Sequence, residues 1–278
     1  MQSNPLQQSV LYNHILLCTE DSIINQQLYQ QKLQQKQLQQ QQQVLNRERY
    51  LNDHNDSDAY NDSHGHSHDK LPIYHDQQPV TVWDLYCGVG TIGMYLSKSR
   101  FIKQVIAIEE SESAIQDANL NAKLNNITNI RFLCGKVEDF IFSNLNHSID
   151  NHSNVTITIA TKEIANTASA SILKRRTSLS SAPSSSLPTM QSQDIIIINP
   201  PRRGCHPDLL TKISQSSVRT LIYISCNPQS LVRDLKTLVS PGRDFSVRRI
   251  IPVDMFPHTV HVETIVLLER TVSMIKGV

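Results

Sequence analysis

This 278-residue chain predicts an α/β fold with a mostly parallel seven-stranded sheet and an antiparallel edge. Three observations carry that expectation. Seven short apolar runs alternate for most of the chain with helix-like segments, and such alternation builds a parallel sheet covered on both faces. Ile195-Ile196-Ile197-Ile198 is an unbroken apolar run, the mark of a strand buried on both sides. The last two runs, 245–253 and 262–269, have a short loop and no helix between them, as an antiparallel pair requires.

The elements follow in order. Residues 1–25 form an opening segment with a short helix. Residues 26–43 hold twelve glutamines in eighteen positions, with leucine at 28, 33 and 38. A polar tract of this kind reads as disordered or as a frayed helix, and 26–78 as a whole reads as a Gln/Asn/Asp/His-rich insert. The catalytic-type domain spans 79–270: strand 80–86, helix 91–98, strand 104–109, helix 113–126 and strand 130–135. Helix 113–126 carries Ala114, Ile115, Ala118, Ala122 and Leu124 at broadly helical spacing. A Ser/Asn/Thr-rich stretch at about 144–192 follows and is expected to be a disordered insert, which a surface loop tolerates at little cost. Then come strand 194–199, helix 207–215, strand 220–225, helix 228–239 and strands 245–253 and 262–269, with 271–278 as a tail.

Four segments carry chemistry. In Tyr223-Ile224-Ser225-Cys226-Asn227-Pro228 a thiol follows an apolar strand and precedes a helix. The carboxyl ends of strands are where open α/β sheets bind ligands, so Cys226 is either a presented nucleophile or a small core residue. Asp84-Leu85-Tyr86-Cys87-Gly88-Val89-Gly90-Thr91-Ile92-Gly93 runs from strand through glycine loop to helix. Glu109 ends the next strand, where an acid suits a ribose diol. Both NAD and S-adenosylmethionine satisfy that half of the pattern. Asn199-Pro200-Pro201-Arg202-Arg203-Gly204 ends the isoleucine strand stiffly. Phe256-Pro257-His258-Thr259-Val260-His261-Val262-Glu263 crowds two histidines and an acid before the last strand. An i, i+3 histidine pair with no third ligand is a poor zinc signature.

Together and in this order, the four segments resemble the RNA 5-methyluridine methyltransferase family over about 79–142 and 193–270. The resemblance implies a Rossmann-like class I fold, S-adenosyl-L-methionine as cofactor and methylation of uridine carbon 5 in RNA. Transfer RNA, at the T-loop uridine, is the expected target, and ribosomal RNA the alternative. By the same resemblance Cys226 is the nucleophile that adds to uracil carbon 6, and Glu263 the general base. Gln2, Tyr86, Glu109 and Asn199 are the cofactor contacts, Gln2 through a short likeness of Met1-Gln2-Ser3-Asn4 to the family's F-x-Q-x-N motif. The family usually carries Asp at the position of Asn199; the amide loses the charge and gains a donor. Asn-Pro-Pro also occurs in amino-group methyltransferases, but those continue with an aromatic residue where Arg202 stands here. Two other classes stay open: a non-catalytic RNA-binding remnant, and a methyltransferase acting on a non-RNA substrate. Family members carry RNA-binding and central regions ahead of the catalytic domain, so this chain alone is expected to hold RNA weakly.

Composition bounds the rest. Net charge is +1, yet residues 199–278 hold eleven Lys/Arg against six Asp/Glu, while 44–78 hold three against seven. The carboxyl half is therefore the basic one, as phosphate contact needs, with Arg202, Arg203, Arg248 and Arg249 as candidates. The five cysteines at 18, 87, 134, 205 and 226 show no paired spacing, which fits a reducing compartment. His64, His66 and His68 read as solvated linker, and no metal is expected. With no apolar run of about eighteen residues and no secretory signal, an intracellular location is expected: cytoplasm or nucleus, with a mitochondrial one open.

Overall fold

The computed structural model describes residues 5–53, 79–140, 189–241 and 245–270. Its elements are α1 (Pro5–Asp53), β1 (Val80–Leu85), α2 (Thr91–Leu96), β2 (Ile102–Glu109), α3 (Glu112–Leu124), β3 (Ile130–Cys134), β4 (Ile195–Ile198), α4 (Pro207–Gln215), β5 (Thr220–Ser225), α5 (Pro228–Val239), β6 (Phe245–Val253) and β7 (Glu263–Arg270). The strands form one seven-stranded sheet in the order β3-β2-β1-β4-β5-β7-β6. All neighbours pair parallel except β5–β7 and β6–β7, which are antiparallel. The expected architecture is present, with strand limits within two residues of those read from the sequence.

Alternation along each strand divides the core into two layers. Trp83, Leu85, Ile196, Ile198, Leu221 and Tyr223 face one way, against α4 and α5 through Leu209, Ile213, Leu231 and Leu238. Val82, Val105, Ile195, Ile197, Ile222 and Ile265 face the other, against α1, α2 and α3. The four-isoleucine strand thus feeds both layers, two side chains each. Both late helices start on turn residues that satisfy free backbone donors: His206 accepts from Asp208 N–H at 3.3 Å and Asn227 from Gln229 N–H at 3.0 Å, each followed by proline.

The opening helix is longer than expected: α1 does not stop near residue 25 but runs to Asp53, so the glutamine tract up to that point takes the helical rather than the disordered of its two readings. The physical reason is nucleation. Leu11, Ile15, Cys18 and Ile23 are buried against the sheet, Ser22 donates to Glu269 at 3.1 Å and Gln26 to Thr220 at 2.7 Å. Once that docked stretch has formed the helix, each further Gln, Lys or Leu extends it at small cost. Most side chains from Leu28 to Arg47 are exposed, so this part of α1 adds length without core. Residues 54–78, 141–188 and 271–278 lie outside the described residues. The second insert ends earlier than expected: Met190 is core, and Gln191 N–H donates to Asp194 at 2.9 Å.

Candidate active site

Register aligns the expected cofactor residues. Leu85 pairs with Ile108 on β2 and with Ile198 on β4. Glu109, Tyr86 and Asn199 each stand one residue further on. They form a row across three neighbouring strands at the carboxyl edge, on either side of β1. Strand order reverses there, between β1 and β4, which makes it the crevice where doubly wound sheets bind ligands. Asn199 is exposed, and its N–H donates to the Leu85 carbonyl at 3.2 Å.

The loop after β1 is bent into place by left-handed residues: Tyr86 at φ 61°, Gly88 at 55° and Gly90 at 78°. The two glycines do different work. A Cβ at Gly90 would lie 2.5 Å from the Phe132 ring, whereas a Cβ at Gly88 would meet nothing within 4 Å. Gly88 therefore presents backbone to open space. Its N–H donates to Glu109 at 3.1 Å, and Ser111 N–H donates to the other Glu109 oxygen at 3.0 Å. Each carboxylate oxygen keeps a lone pair for a further donor, such as a ribose hydroxyl. Tyr86 is tethered through its hydroxyl, which donates to Glu138 at 2.9 Å. An adenosine-bearing cofactor fits this set: open backbone at Gly88, acceptor capacity at Glu109 and a fixed ring at Tyr86.

Asp84, on β1 just ahead of the glycine loop, is a carboxylate that sequence reasoning did not single out. It is fully buried, and one oxygen accepts from Gly93 N–H at 2.9 Å while the other, buried too, has no hydrogen-bond partner among the described residues. Burial pushes its pKa up to about 7; the Gly93 N–H opposes the rise and the Glu109 charge adds to it. The available signal was a carboxylate inside an otherwise apolar strand, just ahead of a glycine loop.

The expected catalytic residues, Cys226 and Glu263, lie at the ends of β5 and β7. Ser225 pairs with Thr264 in the antiparallel register. One residue beyond that pair come Cys226, which follows β5, and Glu263, which starts β7, so both lie at the same edge of the sheet. Cys226 is half-buried, whereas Cys18, Cys87 and Cys205 are buried and their thiols are pushed up by burial. Glu263 is half-buried; burial raises its pKa and the Arg202 charge lowers it. The charge of Arg202, on the loop after β4, thus lies within electrostatic range of Glu263. The turn around Cys226 is clamped: Asn227 N–H donates to the Ser225 hydroxyl at 3.1 Å and that hydroxyl donates to the Asn227 carbonyl at 3.0 Å. Asn227 Nδ2 also donates to the Arg202 carbonyl at 2.9 Å, tying the two loops together.

Two of the four candidate phosphate arginines are engaged elsewhere. Arg248 pairs with Glu269 at 3.2 Å and Arg249 with Asp21 at 3.4 Å, which uses their charge to hold β6 against β7 and α1. Gln2 and the His64–His68 cluster lie outside the described residues. Among the described residues no group of His, Cys, Asp and Glu could hold a metal ion, and no helix is long and apolar enough to cross a membrane.

The family model for tRNA (uracil-5-)-methyltransferase matches residues 32–148 and 142–271. An uncharacterized RNA methyltransferase of Clostridium tetani is 36% identical over 195 residues, covering 70% of this chain and 32% of the relative. One of Clostridium acetobutylicum is 35% identical over 189 residues, covering 68% and 31%. This chain thus spans about a third of the length of the curated relatives it matches. Among solved structures, a Pyrococcus abyssi tRNA (uracil-54, C5)-methyltransferase in complex with S-adenosyl-L-homocysteine is 26% identical. It aligns with a TM-score of 0.44 over 69% of this chain and 34% of that one.

Proposed function

This chain belongs to the tRNA (uracil-5-)-methyltransferase family, and from that premise we propose that it carries the catalytic domain for methylating uridine carbon 5 in RNA, with S-adenosyl-L-methionine as donor and the T-loop uridine of transfer RNA as target. One observation supports the reading most: β5 and β7 pair antiparallel through Ser225 and Thr264, so Cys226 and Glu263 come at the sheet edge that also carries Asn199, Tyr86 and Glu109.

Each residue type suits its step. Uracil carbon 5 is a poor nucleophile. The Cys226 thiolate adds to carbon 6, and the C5–C6 π electrons move onto the O4 enolate. S-adenosyl-L-methionine supplies an electrophilic methyl group, which carbon 5 of the enolate can now accept. Glu263 then takes the carbon-5 proton; the released pair restores the C5–C6 double bond and the thiolate leaves. Covalent catalysis divides one hard step into easier ones, and a carboxylate within reach of the proton suffices as base. Its partial burial supports that role, because desolvation raises its basicity. Glu109 and Tyr86 would hold the adenosine end and Asn199 would border the reacting centre. Arg202 and Arg203 are exposed on the adjoining loop and available to phosphate.

RNA carrying 5-fluorouridine tests this directly, since carbon 5 then has no proton for Glu263 to take. The wild-type chain should form an adduct stable on denaturing gels, and Cys226→Ala should form none. An adduct that persists in Cys226→Ala would remove the nucleophile assignment. Binding of RNA without any adduct, in a chain that binds S-adenosylhomocysteine, would favour the non-catalytic reading.

A further inference from the structure

We propose that Asp234 is a positioning residue of this site, holding the loop of residues 202–205 so that Arg202 stays at the sheet edge where Glu263 begins β7. The proposal rests on the reading of Glu263 as the base and adds to it the device that keeps its charged neighbour in place.

Asp234 lies on α5, 1% exposed, and collects donors from three elements. From β5 the Tyr223 hydroxyl donates at 2.6 Å, and from the loop after β4 Cys205 N–H donates at 2.8 Å, both to Oδ2. From α5 itself Arg233 pairs with Oδ1 at 2.7 Å. Burial first, and then Cys205 and Asp234, push the Tyr223 phenol up, so it remains a donor. Arg233 reaches further and donates to the Arg203 carbonyl at 2.7 Å. Asn227 completes the set with its bond to the Arg202 carbonyl. Three backbone groups within four residues, Arg202 C=O, Arg203 C=O and Cys205 N–H, are thus held by side chains of α5 and its cap. The approach is close enough that a Cβ at Gly204, which sits at φ 80°, would strike both Arg233 and Asp234.

Burying a carboxylate is a poor route to stability, since apolar replacements often do as well. Its donors instead fix one conformation of the loop that Arg202 belongs to. The titratable groups on the loops around Glu263 are Arg202, Arg203 and Cys205 from that loop, Cys226 after β5, Asp254 after β6, and His258 and His261 of its own loop. Of these, Arg202 is the one whose charge bears on the Glu263 carboxyl. Releasing the loop removes that charge and leaves burial unopposed.

The test is the titration of Glu263 by carbon-13 NMR of labelled side-chain carboxyls in the full chain, its signal assigned by its loss in Glu263→Gln. Asp234→Asn should raise the Glu263 pKa by roughly half to one unit. Arg202→Ala should raise it similarly, and the double variant no further than Arg202→Ala alone. Arg233→Lys, which loosens the loop from the exposed side, should move it the same way by less, and serves if Asp234→Asn does not fold. An unchanged Glu263 pKa in a folded Asp234→Asn or Arg233→Lys, with Arg202→Ala shifted, makes Asp234 structural only; no shift in Arg202→Ala overturns the proposal as well. Methylation by the same samples is read separately. If the wild type forms no adduct with fluorouridine RNA, the functional reading fails, while the titration still decides whether Asp234 holds Arg202 at the edge where Glu263 begins β7.

Discussion

Replacing Gly88 and Gly90 separately by alanine tests the glycine loop, because the two share a backbone conformation and differ in surroundings. Both sit at positive φ, 55° and 78°, where an L side chain costs roughly 1–2 kcal/mol. At Gly90 the new methyl would lie 2.5 Å and 2.8 Å from two atoms of the Phe132 ring and 3.4 Å from Ala118 Cβ. Forcing the ring aside adds an overpacking cost of about 1–3 kcal/mol. Gly90→Ala should therefore lose about 2–5 kcal/mol of stability. At Gly88 nothing lies within 4 Å, so only the backbone cost applies, a fall in Tm of a few degrees, roughly 2–4 °C per kcal/mol. That methyl does enter the open space ascribed to the cofactor. Gly88→Ala should weaken S-adenosylhomocysteine binding about tenfold or more, ~1.4 kcal/mol, in a chain that still melts near the wild type. Thermal melts and titration calorimetry read the two effects. Wild-type affinity in Gly88→Ala would refute the cofactor assignment, and equal melts for the two variants would refute the packing argument.

Glu263→Gln should add to uracil and accept methyl yet release product slowly, so that a methylated covalent complex accumulates on denaturing gels; loss of RNA binding without that complex would make Glu263 structural. Asp84 gives a pH signature. Its folded pKa is raised from 3.8 to about 7, so the native state holds the extra proton, and stability falls as pH rises between those values. Asp84→Asn should flatten that fall in denaturant titrations at pH 4 to 7, while an unchanged slope would show that another group titrates. For α1, Ile15→Ala should cost about 2–4 kcal/mol because the side chain is fully buried. Leu38→Ala, 58% exposed in the original, should stay within about 0.5 kcal/mol; equal losses in chemical denaturation would mean the projecting helix also packs.

The parts of the fold that were readable in the sequence are those whose signal is local. Ile195–Ile198 and Thr220–Ser225 are mainly apolar or β-branched runs bounded by turn residues, and proline after His206 and Asn227 marks where α4 and α5 start. α1 was half legible. Leu11, Ile15, Cys18 and Ser22 recur at spacings of four, three and four, and all four are buried. Beyond Ile23 no such stripe continues, and a glutamine run has the same composition whether it is an extended helix or a disordered tract. The difference lies in the docked turns before it. Asp234 was legible only as an anomaly, a carboxylate among Ser230, Leu231 and Leu238 on the buried stripe of α5. Its partners Tyr223 and Cys205 sit eleven and twenty-nine residues earlier, and nothing local names them.

The site itself depends on one topological fact that no motif states. β7 enters the sheet antiparallel to β5, so its first residue lies at the edge where β5 ends. Glu263 starts β7 and Cys226 follows β5, and this reversal brings both to the same edge of the sheet. A parallel seventh strand would carry the same Glu263 to the opposite edge, a strand's length from the thiol. Register then sets the alternation. A slip of one residue would turn the β7 core positions Ile265 and Leu267 to the other layer and exchange the side chains facing the site, so the packing of both layers holds the register on which the chemistry depends. The hydrogen-bonded cap at Asn227 extends the same logic from strand to loop. It fixes the turn that carries Cys226 and, through the Arg202 carbonyl, the loop whose arginine acts on Glu263. Cys226, Glu263 and Arg202 are thus tied together by strand pairing and the Asn227 cap.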